Sequence, residues 1–179
     1  EQSDVAVSVS VATRPGYEHQ LFERALDFYR SRKWLLGPNG LVLLEVPEDA
    51  NVDLHGRWLL VRLRTAWPLG GQEHPAGALV AADLEAFLAG DRRLVSVFSP
   101  TPTASLSGWS WTRERLVLTV QDDVKDRMEI VEPESGWRGR PVEGAPPTWT
   151  LNAWAVDEDD SEDCFVMGQD FLHPSSLYF

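Results

Sequence analysis

Residues 5–12 read VAVSVSVA, with Val5, Val7, Val9 and Val11 on one parity and Ala6, Ser8, Ser10 and Ala12 on the other. Successive strand side chains point to opposite faces, so a two-residue period specifies an extended strand with one apolar face. The period then lengthens after Pro15-Gly16. Tyr17, Leu21, Phe22, Ala25, Phe28 and Tyr29 recur at helical spacing, and Arg30, Arg32 and Lys33 follow where a helix dipole favours cations. The spacing predicts a helix over 17–33, closed by the turn GPNG at 37–40.

Strands are expected at 41–47 and 57–67, and a short helix around Ala81 to Ala89 with Leu84, Phe87 and Leu88 inward and Gly90 as its stop. Another strand is expected at 92–98. The order β-α-β-β-α-β over the first hundred residues is that of a split βαβ arrangement. Beyond it, 109–121, 127–133 and 148–156 read as strands. The reading is therefore one α+β domain over 1–179, a mainly antiparallel sheet with two helices and a β-rich extension. No internal repeat is evident. The expected core contains Val5, Val7, Val9, Val11, Leu21, Phe22, Phe28, Leu116, Leu118 and Val120. The stretches 68–77, 99–108 and 134–147 read as irregular, poorly anchored loops.

The apolar share of 43% and charged share of 25% are those of a globular chain. No apolar run reaches the roughly 18 residues that span a bilayer, so no membrane association is expected. The first residues carry neither a basic segment nor a continuous apolar run, so they do not read as a signal peptide. Cys164 is the only cysteine, which precludes an internal disulfide and fits a cytoplasmic or otherwise reducing compartment.

Motifs for chemistry are sparse. There is no nucleophile elbow, phosphate loop or H-E-x-x-H. Asp53 and His55 form a D-x-H pair whose side chains share one side of an extended segment, without a third ligand. No metal and no cofactor is expected, and a hydrolase built on Asp53 and His55 ranks last among the function classes. Cys164 follows Glu162 and Asp163, whose charges suppress a thiolate.

Charge and tryptophan carry the functional reading. The net charge is −12, with 13 acidic and 10 basic residues in 1–100 and 15 and 6 in 101–179. Asp157, Glu158, Asp159, Asp160, Glu162 and Asp163 crowd together ahead of an apolar end, Phe165 to Phe179. They lack the Gly and Glu that an EF-hand loop requires at its sixth and twelfth positions. The expectation is an exposed acidic loop held by a docked apolar tail, available to a basic protein partner. Eight tryptophans are present. Alternation places Trp58, Arg62 and Arg64 on one strand face, and Trp109, Trp111, Arg113 and Arg115 on another. Such faces suit either Arg–Trp stacking or a platform for bases or sugars. The weak local positive charge disfavours nucleic acid. The sequence thus points first to a non-enzymatic acidic interaction protein of inhibitor, immunity or nucleic-acid-mimic type. A single-stranded nucleic-acid or carbohydrate-binding module comes second.

Overall fold

The computed structural model describes residues 6–144 and 150–179. The expectations for Val5, and for the part of the 134–147 and 148–156 segments that falls in 145–149, lie outside the described residues. The chain divides into two compact units, Glu1–Ser96 and Val97–Phe179. Nearly all regular structure is antiparallel strand, with one short α-helix among the described residues. This corrects the α+β expectation.

The first unit opens with a meander of β1 (Ala6–Ala12), β2 (His19–Ala25), β3 (Ser31–Gly37) and β4 (Gly40–Leu43), each pairing antiparallel with the next. The helix expected over 17–33 is the β2–β3 hairpin. Asp27 Oδ1 accepts from the Tyr29 and Arg30 backbone N–H groups at 2.8 and 2.9 Å, and the Arg30 carbonyl accepts from Leu26. An aspartate that bonds the backbone two and three residues on closes a turn locally, which overrides a weak helical period. Phe28 and Tyr29, taken for the inner stripe of a helix, stand at the tip 93% and 75% exposed.

A second sheet joins β5 (Asn51–His55), β6 (Trp58–Arg62), β9 (Leu79–Asp83) and, at its edge where the units divide, β10 (Val95–Phe98). Between β6 and β9 lies the small hairpin of β7 (Trp67–Leu69) and β8 (Gln72–His74), where a loop was expected. The expected second helix is present only as α1 (Leu84–Leu88), because Ala81–Asp83 belong to β9. Asp83 caps it, accepting from Ala86 N at 3.0 Å. Leu35 and Leu44, from the first sheet and its exit, pack with Leu59, Val61, Val80 and Phe87 into this unit's core. Leu59, Leu60 and Val61 are all fully buried, so β6 is covered on both faces. Val7, Val9 and Val11, expected in the core, are exposed on the edge strand β1. Alternation identifies an apolar face without specifying what covers it.

The second unit repeats the design. β11 (Ala104–Trp111), β12 (Leu116–Asp122), β13 (Lys125–Glu132) and β14 (Arg138–Pro141) form an antiparallel meander. β15 (Thr150–Ala155), β16 (Cys164–Gln169) and β17 (Ser176–Tyr178) form a three-stranded one. Strands β11 and β14 occupy parts of the segments read as loops. Val117 and Met128 pack with Leu151 and Ala153 between the two sheets. Leu116, Leu118 and Val120 are fully buried, as expected.

Candidate functional site

The acidic run is the connection between β15 and β16. Its turn is built internally: Asp157 Oδ1 accepts from Asp159 N and Asp160 N at 2.9 and 3.1 Å, and the Asp163 carbonyl accepts from Val156 N at 3.0 Å. Asp157, Glu158, Asp160 and Asp163 are exposed and Asp159 is half-buried. Glu162 stands apart from them. The Thr112 hydroxyl donates to its Oε2 at 2.8 Å, Arg113 Nε lies 3.7 Å from Oε1, and Arg115 Nε lies 4.0 Å from Oε2. Oε1 accepts no hydrogen bond, so the Arg113 charge is its compensation. The segment after the loop forms two strands. Phe165 of β16 packs against Trp154 and Phe179, with ring centroids 6.1 and 5.5 Å apart. Burial, then the Asp163 charge, pushes the Cys164 thiol up.

The two expected Trp/Arg faces are not flat platforms. On β6, Leu60 between Trp58 and Arg62 is fully buried, while Arg64 is exposed beyond the strand. Trp58 is half-buried, and the cation over its ring is the preceding Arg57, 5.2 Å from the centroid. Burial, then the Arg64 charge, draws the Arg62 guanidinium below its ordinary value. In the second unit, the strand expected over 109–121 is a hairpin. β11 ends at Trp111, and Thr112 turns the chain: its backbone N–H donates to the Arg115 carbonyl at 2.8 Å and its hydroxyl oxygen accepts from Arg115 N. Arg113 and Arg115 therefore leave the face that Trp109 and Trp111 occupy. Trp111 is buried edge-on against Trp137, centroids 6.1 Å apart and planes at 71°.

Asp53 and His55 lie on β5. His55 is buried, with Arg14 Nη1 2.8 Å from its Nε2. Arginine only donates, so Nε2 accepts and the ring proton sits on Nδ1. Among the described residues no three His, Cys, Asp or Glu side chains gather as metal ligands would. No helix among them is long and apolar enough to cross a membrane.

The sequence reading missed a cluster on the first sheet. Glu23 and Lys33 are register partners across β2 and β3, and Ser31 lies two residues from Lys33 on the same face. Lys33, assigned to a helix end, is instead 4% exposed and donates to Ser31 Oγ at 2.7 Å. An E…S-x-K pattern on paired strands would have indicated it only once the hairpin register was known.

No family profile matches the chain. An uncharacterized peptidase, y4nA of Sinorhizobium fredii, is 29% identical over 165 residues, which is 87% of this chain and 22% of that protein. The structure of a post-proline cleaving enzyme from Rickettsia typhi superposes with a TM-score of 0.86 at 18% identity, covering 98% of this chain and 27% of that one. A prolyl endopeptidase chain gives 0.67 at 16% identity, over 96% and 24%. Prolyl oligopeptidase B from Galerina marginata gives 0.62 at 13%, also over 96% and 24%. The chain thus spans about a quarter of the length of the proteins it matches. The fold resembles that of a β-propeller-like peptidase domain, built almost wholly of antiparallel sheets. These matches, all to proteins described as peptidases, overturn the expectation of a non-enzymatic inhibitor-type interaction protein.

Proposed function

We propose that these residues are blades of the propeller-like domain of a larger peptidase that cleaves peptides after proline. The observation that carries this reading is the fold likeness over 98% of the chain to a post-proline cleaving enzyme. The peptidase relative, at 29% identity over 87% of the chain, supports it from sequence. The internal construction agrees: strands such as β6 and β12 are buried on both faces, as inner strands of packed sheets are. In this reading the blades shape access to a reaction centre whose reacting groups belong to other parts of the polypeptide.

The test is peptide cleavage by the product of the complete reading frame containing these residues, followed by mass spectrometry on a peptide library. The expected result is scission on the carboxyl side of proline, with no scission by residues 1–179 alone. Cleavage with no preference for proline would overturn the specificity, and absence of any cleavage would overturn the peptidase assignment.

A further inference from the structure

Lys33 is the one lysine buried among the described residues, and its environment leaves it under-compensated. An ammonium carries three N–H donors. One is used, on Ser31 Oγ at 2.7 Å. The Ser31 hydroxyl in turn donates to Glu23 Oε1, and that oxygen lies 3.6 Å from Nζ, beyond hydrogen-bond reach. Burial dominates the ammonium's surroundings and draws its pKa below the ordinary 10.5, with Glu23 and Asp49 offsetting only part of it. A buried charge with unused donors is costly unless something supplies acceptors.

The residue also lines a cavity of about 530 Å3, the size range of small-ligand sites. Ser31, Leu44, Val46, Thr65 and Trp67 line it as well. The other charged groups of the lining are already paired, Arg32 Nε with Glu48 Oε1 at 2.7 Å and Glu45 with Arg92 Nη2, so none of them is an open anchor. The site therefore combines one cation holding unused donors with hydrocarbon and indole surface. A cationic ligand would meet Lys33. A phosphate would bring two charges beside Glu48 and the shared Glu23 carboxylate, with a single uncommitted cation to meet them.

We propose that this cavity binds a small monocarboxylate with an apolar body, its oxygens accepting from the two remaining N–H groups of Lys33 and its hydrocarbon lying against Leu44, Val46 and Trp67. The carboxylate supplies both the missing charge and the missing acceptors, and charge-assisted bonds of this kind are the stronger class. The site stands independently of peptide cleavage, so its failure would leave the peptidase reading intact.

The experiment is an NMR titration of residues 1–179 with hexanoate, followed at the Trp67 indole and the Lys33 side chain, and repeated with hexanamide. Saturable shifts with hexanoate, at least about tenfold weaker binding of hexanamide, and loss of binding in Lys33→Met are expected. The hexanamide comparison uses the native chain, so it decides the matter even where Lys33→Met fails to fold. Absence of shifts up to about 10 mM hexanoate, a tenfold excess over a millimolar Kd, would overturn the proposal. So would equal binding of hexanamide, or unchanged binding by Lys33→Met, and the cavity would then be a water site only.

Discussion

Asp27 and Asp170 close two hairpin tips by the same bonds. In each, one carboxylate oxygen accepts from the backbone N–H groups two and three residues on: Tyr29 and Arg30 in the first tip, Leu172 and His173 in the second. The third residue also returns its side chain to that aspartate, Arg30 Nε at 2.8 Å and His173 Nδ1 at 2.9 Å. Between them Phe28 and Phe171 project fully into solvent. The motifs DFYR and DFLH thus mark the turn between second and third strands in two separate sheets.

The turn gives a first prediction. Asp27→Ala lowers the melting temperature, Asp27→Asn keeps an acceptor oxygen and lowers it less, and Phe28→Ser leaves it unchanged. The Tyr29 N–H first, then Arg30, hold the Asp27 carboxyl below its ordinary 3.8. A depressed carboxylate contributes stability that is complete above the unfolded value and drains as pH falls through the folded one. The gap between wild type and Asp27→Asn should therefore be constant at neutral pH and close below about pH 3.8. A gap that persists unchanged in that acid range would mean that charge has no part in the turn.

Burial on both faces of β12 gives the second. Leu118 is fully buried and Val117, on the opposite face, is 3% exposed. Leu118→Ala should cost about 2–5 kcal/mol in urea unfolding, cavity included. Val117→Ala should cost about 1.5 kcal/mol or more for its two lost methyl groups. A half-buried strand would show only one of these losses.

That double burial also explains which parts of the fold could be read in advance. Alternation correctly marked Ala6–Ala12 as a strand, and Leu116, Leu118 and Val120 were correctly marked as core, though the opposite face of that strand is buried too. The 17–33 hairpin was misread because Leu21, Phe22, Ala25 and Phe28 satisfy a helical period, while the turn-forming role of Asp27 is a local bond that periodicity does not weigh. The 109–121 hairpin was misread because Thr112 to Arg115 contain neither Gly nor Pro, the usual turn markers. The meander recurs in structure while its strands share little sequence, so the repeat was invisible apart from the two DF turns. The Lys33 cluster depends on the Glu23–Lys33 register, and register follows from the hairpin that was missed.

A third prediction concerns Trp137, which adopts φ 61° and is packed edge-on against Trp111. The left-handed conformation costs a non-glycine residue roughly 1–2 kcal/mol, so the buried ring must offset it. Trp137→Ala should lose about 3–5 kcal/mol. Trp137→Gly removes the same ring but relieves the backbone, so it should be the less damaged of the two. Denaturation curves in which Gly is worse than Ala would show that the backbone at 137 is not strained.

Within the acidic hairpin loop, the carboxylates should separate by role. Glu158→Gln and Asp160→Asn remove exposed charges and should change stability by no more than about 0.5 kcal/mol. Glu162→Ala leaves the Thr112 hydroxyl without its carboxylate acceptor and takes one of two carboxylates from each of Arg113 and Arg115, which keep Glu114 and Glu132, and should cost about 1–3 kcal/mol. Equal effects at the three positions would mean that Glu162 is only another solvated charge.

Lys33 supplies the last prediction, from the sign of its linkage. Its folded pKa lies below 10.5, burial being the main cause, and its unfolded value is the ordinary one. Between the two the unfolded chain binds more protons, so stability rises with pH across that window. This is the reverse of a lysine that gains a strong partner. Below the window the folded chain carries a charge it hydrates poorly, while Glu23, 40% exposed, keeps its own contact with water. Lys33→Met should therefore be at least as stable as wild type at pH 7, by up to about 4 kcal/mol, since replacing a buried charge by a hydrophobic residue of similar volume is often stabilising. The advantage should shrink as the pH approaches 10.5 and the native lysine sheds its proton. Chemical denaturation at neutral and alkaline pH measures both values. A variant less stable than wild type by more than about 2 kcal/mol at pH 7 would establish that the Glu23–Ser31–Lys33 cluster stabilises the first sheet outright.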